Sequence, residues 1–101
     1  MKPRLVRFTA TARRHVEREK AWWFENRVHI DVFATELEEA LRLVALLPAA
    51  GSVYAQAPVP GLRRVYLEKI DCHLYYTFDE RQVIVRALWG ARRRSGPRLK
   101  G

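Results

Sequence analysis

The chain contains one cysteine, Cys72, so it cannot form an internal disulfide. A lone thiol in so small a chain points to a reducing compartment, the cytoplasm of its host. No apolar run reaches the roughly 18 residues that a membrane-spanning helix needs, and no membrane contact is expected. The opening MKPRLVRF has no apolar stretch leading to a small-residue cleavage site, so no secretory signal is read. The motifs that cradle nucleotides, G-x-x-x-x-G-K-[ST] and G-x-G-x-x-G, are absent, as is the G-x-S-x-G turn of serine hydrolases. His15, His29 and His73 fall on three different elements, and one cysteine cannot complete a local ligand set. No metal and no cofactor are expected. Acidic residues are missing from the end of the chain: residues 92–101 carry Arg92, Arg93, Arg94, Arg98 and Lys100 and no acid.

What is present is enough for one folded unit. The 101 residues are 49% hydrophobic, too apolar for a disordered chain and long enough for a single core. One domain spanning 1–101 is expected, with a flexible basic tail from about residue 93. The net charge is +8 and lies mostly in the second half. Residues 1–50 hold nine Lys/Arg against seven Asp/Glu, and residues 51–101 hold ten against four. Such a field favours a polyanionic partner, either nucleic acid or an acidic protein.

Hydrophobic periodicity orders the elements. Arg4 to Phe8 alternates as a short strand with Val6 and Phe8 on one side. Thr9 is placed to cap a helix running to about Asn26, with Ala12, Val16 and Trp23 on one stripe. Trp22, Trp23 and Phe24 are consecutive and cannot all face one core; two of them are expected under the second helix. Glu17, Glu19 and Glu25 are read as a solvated face paired with Arg13, Arg14 and Arg18. Asp31 is read as the cap of a second helix, Val32 to Leu47, whose apolar stripe is Phe33, Leu37, Leu41, Val44 and Leu47. Pro48 ends it. The short connection makes the two helices an antiparallel hairpin. Residues 48–61 read as a Pro/Gly loop. Three strands follow, Leu62–Ile70, Cys72–Phe78 and Gln82–Trp89, the last two joined by the polar turn Asp79-Glu80-Arg81. The fold class is therefore α+β: an N-terminal strand, an antiparallel helical hairpin, then a three-strand antiparallel meander.

A helical hairpin covers one sheet face only. Strict alternation puts Leu74, Tyr76 and Phe78 towards the core, with Val83, Val85, Ala87 and Trp89 together on one face of the last strand. The other face then shows His73, Tyr75, Arg86 and either Arg63 or Arg64, a choice that one residue of register reverses. Basic, aromatic and imidazole groups mixed on an open sheet suit phosphates and stacked bases. They are equally ordinary cross-strand pairs on a solvated face. Cys72 reads as core rather than nucleophile.

Three stretches carry a family resemblance. RLVRFTATA resembles a strand running into a Thr-capped helix; GLRRVYL at Gly61–Leu67 is similar to a Gly-x-Arg lead into the next strand; and HLYYTFDERQVIVRALWGARR at His73–Arg93 resembles an aromatic strand, a hairpin, an aliphatic strand and a closing Gly-x-Arg. In order and spacing, from Leu5 to about Pro97, these resemble the RelE/ParE superfamily of bacterial type II toxins, among them the plasmid stabilisation proteins. The resemblance implies a toxin held inactive by a cognate antitoxin in a hetero-oligomer. RelE-like members cut mRNA in the ribosomal A site, whereas ParE-like members poison DNA gyrase. A RelE-like reading implies phosphate contact by Arg92, His73 at the place of a strand arginine, and supporting roles for Tyr75 and Arg86. Arg63, Arg64, Trp89, Arg93 and Arg94 are the binding candidates. The RelE-like pattern also calls for lysines before the second strand and a tyrosine near the C-terminus; residues 48–61 hold no lysine, and no tyrosine follows Tyr76. The departures favour the ParE-like branch and gyrase as target. A ribosome-dependent endoribonuclease is the alternative, and a non-toxic basic nucleic-acid-binding module the third reading.

Overall fold

The structure is a computed structural model and describes residues 2–26 and 30–99. His29 and Lys100, named above, lie outside the described residues. The first strand, β1 (Leu5–Phe8), leads into helix α1 (Ala10–Glu25). Thr9 caps it as read, its hydroxyl accepting the Ala12 N–H at 3.1 Å. Helix α2 (Ile30–Leu46) starts one residue before Asp31. Asp31 therefore sits inside the first turn, where its charge favours the positive helix end rather than capping it. Trp23 near the end of α1 meets Phe33 near the start of α2, ring centroids 6.4 Å apart, as the hairpin requires.

The sheet has five strands where the sequence indicated four. A two-residue strand, β2 (Ser52–Val53), lies within the Pro/Gly loop, followed by β3 (Arg63–Leu67), β4 (Cys72–Phe78) and β5 (Gln82–Gly90). Their order is β1-β5-β4-β3-β2, antiparallel throughout except that β1 runs parallel to β5. The Asp79 carboxylate closes the β4–β5 hairpin by accepting the Arg81 and Gln82 N–H groups at 2.8 and 3.0 Å.

One irregularity decides which side chains face which way. The β4–β5 register runs Tyr75 to Ala87 and then Tyr76 to Val85, leaving Arg86 as an extra residue on β5. The bulge resets the alternation. Val83, Val85 and Leu88 face the helices, while Ala87 and Trp89 face the other way. The grouping of Val83, Val85, Ala87 and Trp89 on one face is thus corrected. Leu88, assigned to the opposite side, is a fully buried core residue.

The main core lies between sheet and helices and contains Ala12, Phe33, Leu37, Ala40, Leu67, Leu74, Val85 and Leu88. Each large aliphatic side chain buried this way contributes roughly 1.5–3 kcal/mol. Leu47 falls just beyond α2 and is exposed, so the apolar stripe ends at Val44 and Ala45. Of the three consecutive aromatics only Trp23 packs against this core. Trp22 and Phe24 are exposed, because successive helical residues diverge by about 100°. The expectation that two would be covered is corrected. Phe78, also assigned to the core, sits at its rim between the guanidinium groups of Arg4 and Arg63.

Candidate functional site

The second sheet face is not an open surface. The segment 54–62 and the C-terminal residues fold over it, forming a small core of Val59, Leu62, Tyr75 and Ala87 with Tyr54, Trp89 and Leu99 packed alongside. Tyr75 is 2% exposed. Pro97 is buried, and the Ser95 carbonyl accepts the Trp89 indole N–H at 2.8 Å. A side chain at Gly96 would meet the Tyr54 hydroxyl, which is why a glycine suits that close approach. The tail through Leu99 is thus packed against the sheet, although its composition indicated a segment free without a partner. Pro97 and Leu99 supply the apolar contacts that the arginine-rich reading overlooked.

Beyond this cover, one end of the face remains accessible and carries His73. Its half-buried ring lies 5.3 Å from Tyr66 and 6.1 Å from Tyr75, centroid to centroid. Burial, followed by the Arg64 charge, lowers the His73 pKa, with Asp71 opposing. Its imidazole is therefore neutral near pH 7 and can accept a proton. Asp71, in the turn before β4, adopts a left-handed backbone conformation at φ 51°. That turn aims its carboxylate outward, where one oxygen accepts the Tyr66 hydroxyl and the other the Arg92 guanidinium, each at 2.7 Å. The Tyr66 hydrogen bond, then Arg92, holds the Asp71 carboxyl below the usual carboxylate range. The same hydrogen bond raises the Tyr66 phenol.

The structure separates the four residues singled out for catalysis. His73 and Arg92 share this end: Asp71 ties Arg92 to Tyr66, whose ring lies beside His73. Tyr75 is buried, its hydroxyl accepting from Arg64 at 3.3 Å. Arg86 donates to the Thr77 hydroxyl at 3.1 Å. Thr77 lies four residues along β4 from His73, about 13 Å away.

Of Arg63 and Arg64, Arg64 is the one on the face opposite the helices, stacked over Tyr54 at 4.8 Å. Arg63 points to the helix side and donates to the Gly51 carbonyl at 2.6 Å. Arg93 lies over Trp89 at 4.1 Å, and Arg94 is exposed. Cys72 is buried, and burial followed by Glu19 pushes its thiol up to about 12, so it is no nucleophile. Among the described residues no group of three or more His, Cys, Asp or Glu is placed to hold a metal ion, and no helix is long and apolar enough to cross a membrane.

No family model and no curated protein matches the chain. Solved structures do. A chain of the chromosomal ParDE TA system from P. aeruginosa matches with a TM-score of 0.67 at 11% identity, covering 88% of this chain and 97% of that one. A chain of the E. coli DinJ-YafQ toxin-antitoxin complex matches with a TM-score of 0.58 at 15% identity, covering 87% and 92%. The fold is RelE/ParE-like.

On this RelE/ParE-like scaffold, sequence reasoning missed Tyr66 and Asp71. Tyr66 shares a strand face with Arg64, a signal that alternation provides. Asp71 gave no signal, because its role depends on the left-handed turn that brings it to Arg92.

Proposed function

We propose that the chain is the toxin of a type II toxin–antitoxin pair, neutralised by a cognate antitoxin, and that it acts by binding and inhibiting DNA gyrase. The toxin reading rests on the RelE/ParE-like fold and on the two neighbours coming from toxin–antitoxin systems. One observation carries the preference for binding over cleavage. With Tyr75 under the tail and Arg86 held by Thr77, the groups a nuclease would gather at one phosphate stand apart. A general base and cations on a scissile phosphate act only when they converge on it. Exposed Trp22, Phe24, Leu43, Leu46 and Leu47 offer the helical hairpin as apolar surface for an antitoxin, and the +8 charge favours an acidic one. Purified protein is expected to block gyrase supercoiling and trap cleaved DNA. Intact supercoiling at saturating protein overturns the gyrase assignment.

A second reading has its own support. Neutral, half-buried His73 beside Tyr66, with Arg92 linked through Asp71, resembles a partial acid–base site, and a ribosome-dependent endoribonuclease would use it. In that case His73→Ala or Arg92→Ala abolishes mRNA cutting on ribosomes; cutting that survives both changes removes the assignment. Harmless expression, with nucleic-acid affinity that falls steeply with salt, would indicate the plain binding module instead.

A further inference from the structure

The parallel strand β1 ends at Phe8, opposite Val85, so among the described residues the edge of β5 from Arg86 onward has no strand beside it. The first half of α1 and the C-terminal segment lie there instead and enclose a cleft of about 650 Å³. Four arginines from three separate parts of the chain line it: Arg14 and Arg18 from α1, Arg86 from the β-bulge, and Arg98 from the tail. Among the described residues no carboxylate lines it. Of the two acids that flank Arg18, Glu19 turns away to accept the Cys72 thiol, and Glu17 does not line the cleft. Thr9, Thr11 and Ser95 add hydroxyl groups.

The arginines are positioned by neutral partners. Arg14 donates to the Thr11 hydroxyl at 3.1 Å, Arg86 donates to Thr77, and the Arg18 guanidinium lies over the Trp89 ring at 5.1 Å. Arg86, the extra residue of the β-bulge, lines the cleft from β5. Within the cleft His15 is held deprotonated, first by burial and then by the charges of Arg18, Arg14 and Arg93. The N-terminal half of α1 adds its helix dipole in the same sense.

We propose that this cleft binds closely spaced phosphoryl groups. Four guanidinium groups without a facing acid repel one another, and an anion relieves that cost. A phosphoryl group offers more charge and more acceptor oxygens than a carboxylate, and guanidinium matches it in two-point geometry. A cleft of this volume takes more than one such group. Arg18 and Arg93 already lie against the Trp89 ring, so the cleft offers its guanidinium groups to phosphate rather than an aromatic surface to a base. Two sources share this chemistry: consecutive phosphodiesters of a nucleic-acid strand, and the polyphosphate of a free nucleotide. The site stands apart from His73 and does not depend on the toxin reading.

Calorimetric titration of the full chain with inorganic tripolyphosphate and with a single-stranded oligothymidylate of about twelve nucleotides tests this. Binding is expected, weakened by about tenfold or more in R14Q/R98Q. The charge-matched R13Q/R42Q, changed at exposed positions outside the cleft, is expected to stay within about twofold. Thermal melts establish that both variants fold. Amide spectra should show the Leu88 N–H and the Trp89 indole N–H moving while Tyr66 and His73 do not. Tighter binding of the oligonucleotide assigns the strand as source, and tighter binding of tripolyphosphate assigns the free nucleotide. Equal weakening in both variants, spectral changes confined to the His73 end, or no binding of either probe overturns the proposal.

Discussion

The backbone N–H of Leu88 donates to Nδ1 of His15 at 3.3 Å, joining residues 73 apart in the chain. The bond requires a deprotonated Nδ1, and burial, followed by the charges of Arg18, Arg14 and Arg93, lowers the His15 pKa to about 4. The unfolded chain takes up that proton near pH 6.5, so between the two values the unfolded state binds more protons. The contribution of His15 is therefore complete above about pH 6.5, falls as the pH drops, and levels off below about 4. Denaturant midpoints across this window should show a loss on the order of 3 kcal/mol that is absent in His15→Gln. Parallel pH profiles for the two proteins would remove His15 as the cause.

The Tyr76 hydroxyl is the buried tie between the sheet and the turn after α2. It accepts the Gly51 N–H at 2.9 Å and donates to the Pro48 carbonyl. Tyr76→Phe leaves both backbone groups buried without that partner and should cost about 1–3 kcal/mol. Gly51→Ala places a methyl against the same hydroxyl and 2.9 Å from the Arg64 carbonyl oxygen, so a similar loss is expected. Because the two changes share one contact, the double variant should lose less than the sum in urea unfolding.

Cys72 should be inert. Its thiol is buried, hydrogen-bonded to the Ile70 carbonyl and raised to about 12. A chromogenic disulfide reagent at pH 8 should leave the native protein unmodified over hours and react fully once it is unfolded. Rapid native reaction would mean that the β4 end of the core opens easily.

The tail is a structural strap. Leu99 packs beside Tyr75 and Ala87, and Ser95 holds the Trp89 indole. Leu99→Ala should destabilise the protein by about 1–2 kcal/mol, and trypsin should cut at Arg98 faster than in the parent. Unchanged melting and cleavage would return the segment to a free tail.

Trp22 and Phe24 lie outside the core, 52% and 72% exposed. Trp22→Ser with Phe24→Ser should leave the melting temperature within a few degrees, on the order of 0.5 kcal/mol. Association with the proposed antitoxin, measured by calorimetry, should weaken by about tenfold or more if the hairpin is its seat. Undiminished affinity would move the antitoxin to another face.

Much of this architecture depends on neighbours close in sequence, and that part was readable. Thr9 as a cap, the 3.6-residue stripe through Phe33, Leu37 and Val44, and the Asp79 hairpin are all local. So is the α+β class that follows from them. The site was less legible. His73 and Arg92 could be named from pattern, but the carboxylate that ties Arg92 to Tyr66, beside His73, belongs to a turn residue whose left-handed backbone no periodicity reveals.

By itself the amino-acid sequence determined where the two helices and the four longer strands form, which helical faces are apolar, and that positive charge gathers towards the C-terminus. Tertiary structure decided the rest. One extra residue at Arg86 turned β5 over, and the parallel pairing of β1 with β5 left a strand edge for α1 and the tail to enclose. Leu99 and the segment 54–62 closed the second face over Tyr75. The physical reason is common to all three. A pattern of period two or 3.6 records which residues share a face, but a bulge, a parallel partner or a covering segment is settled by contacts between residues far apart in the chain.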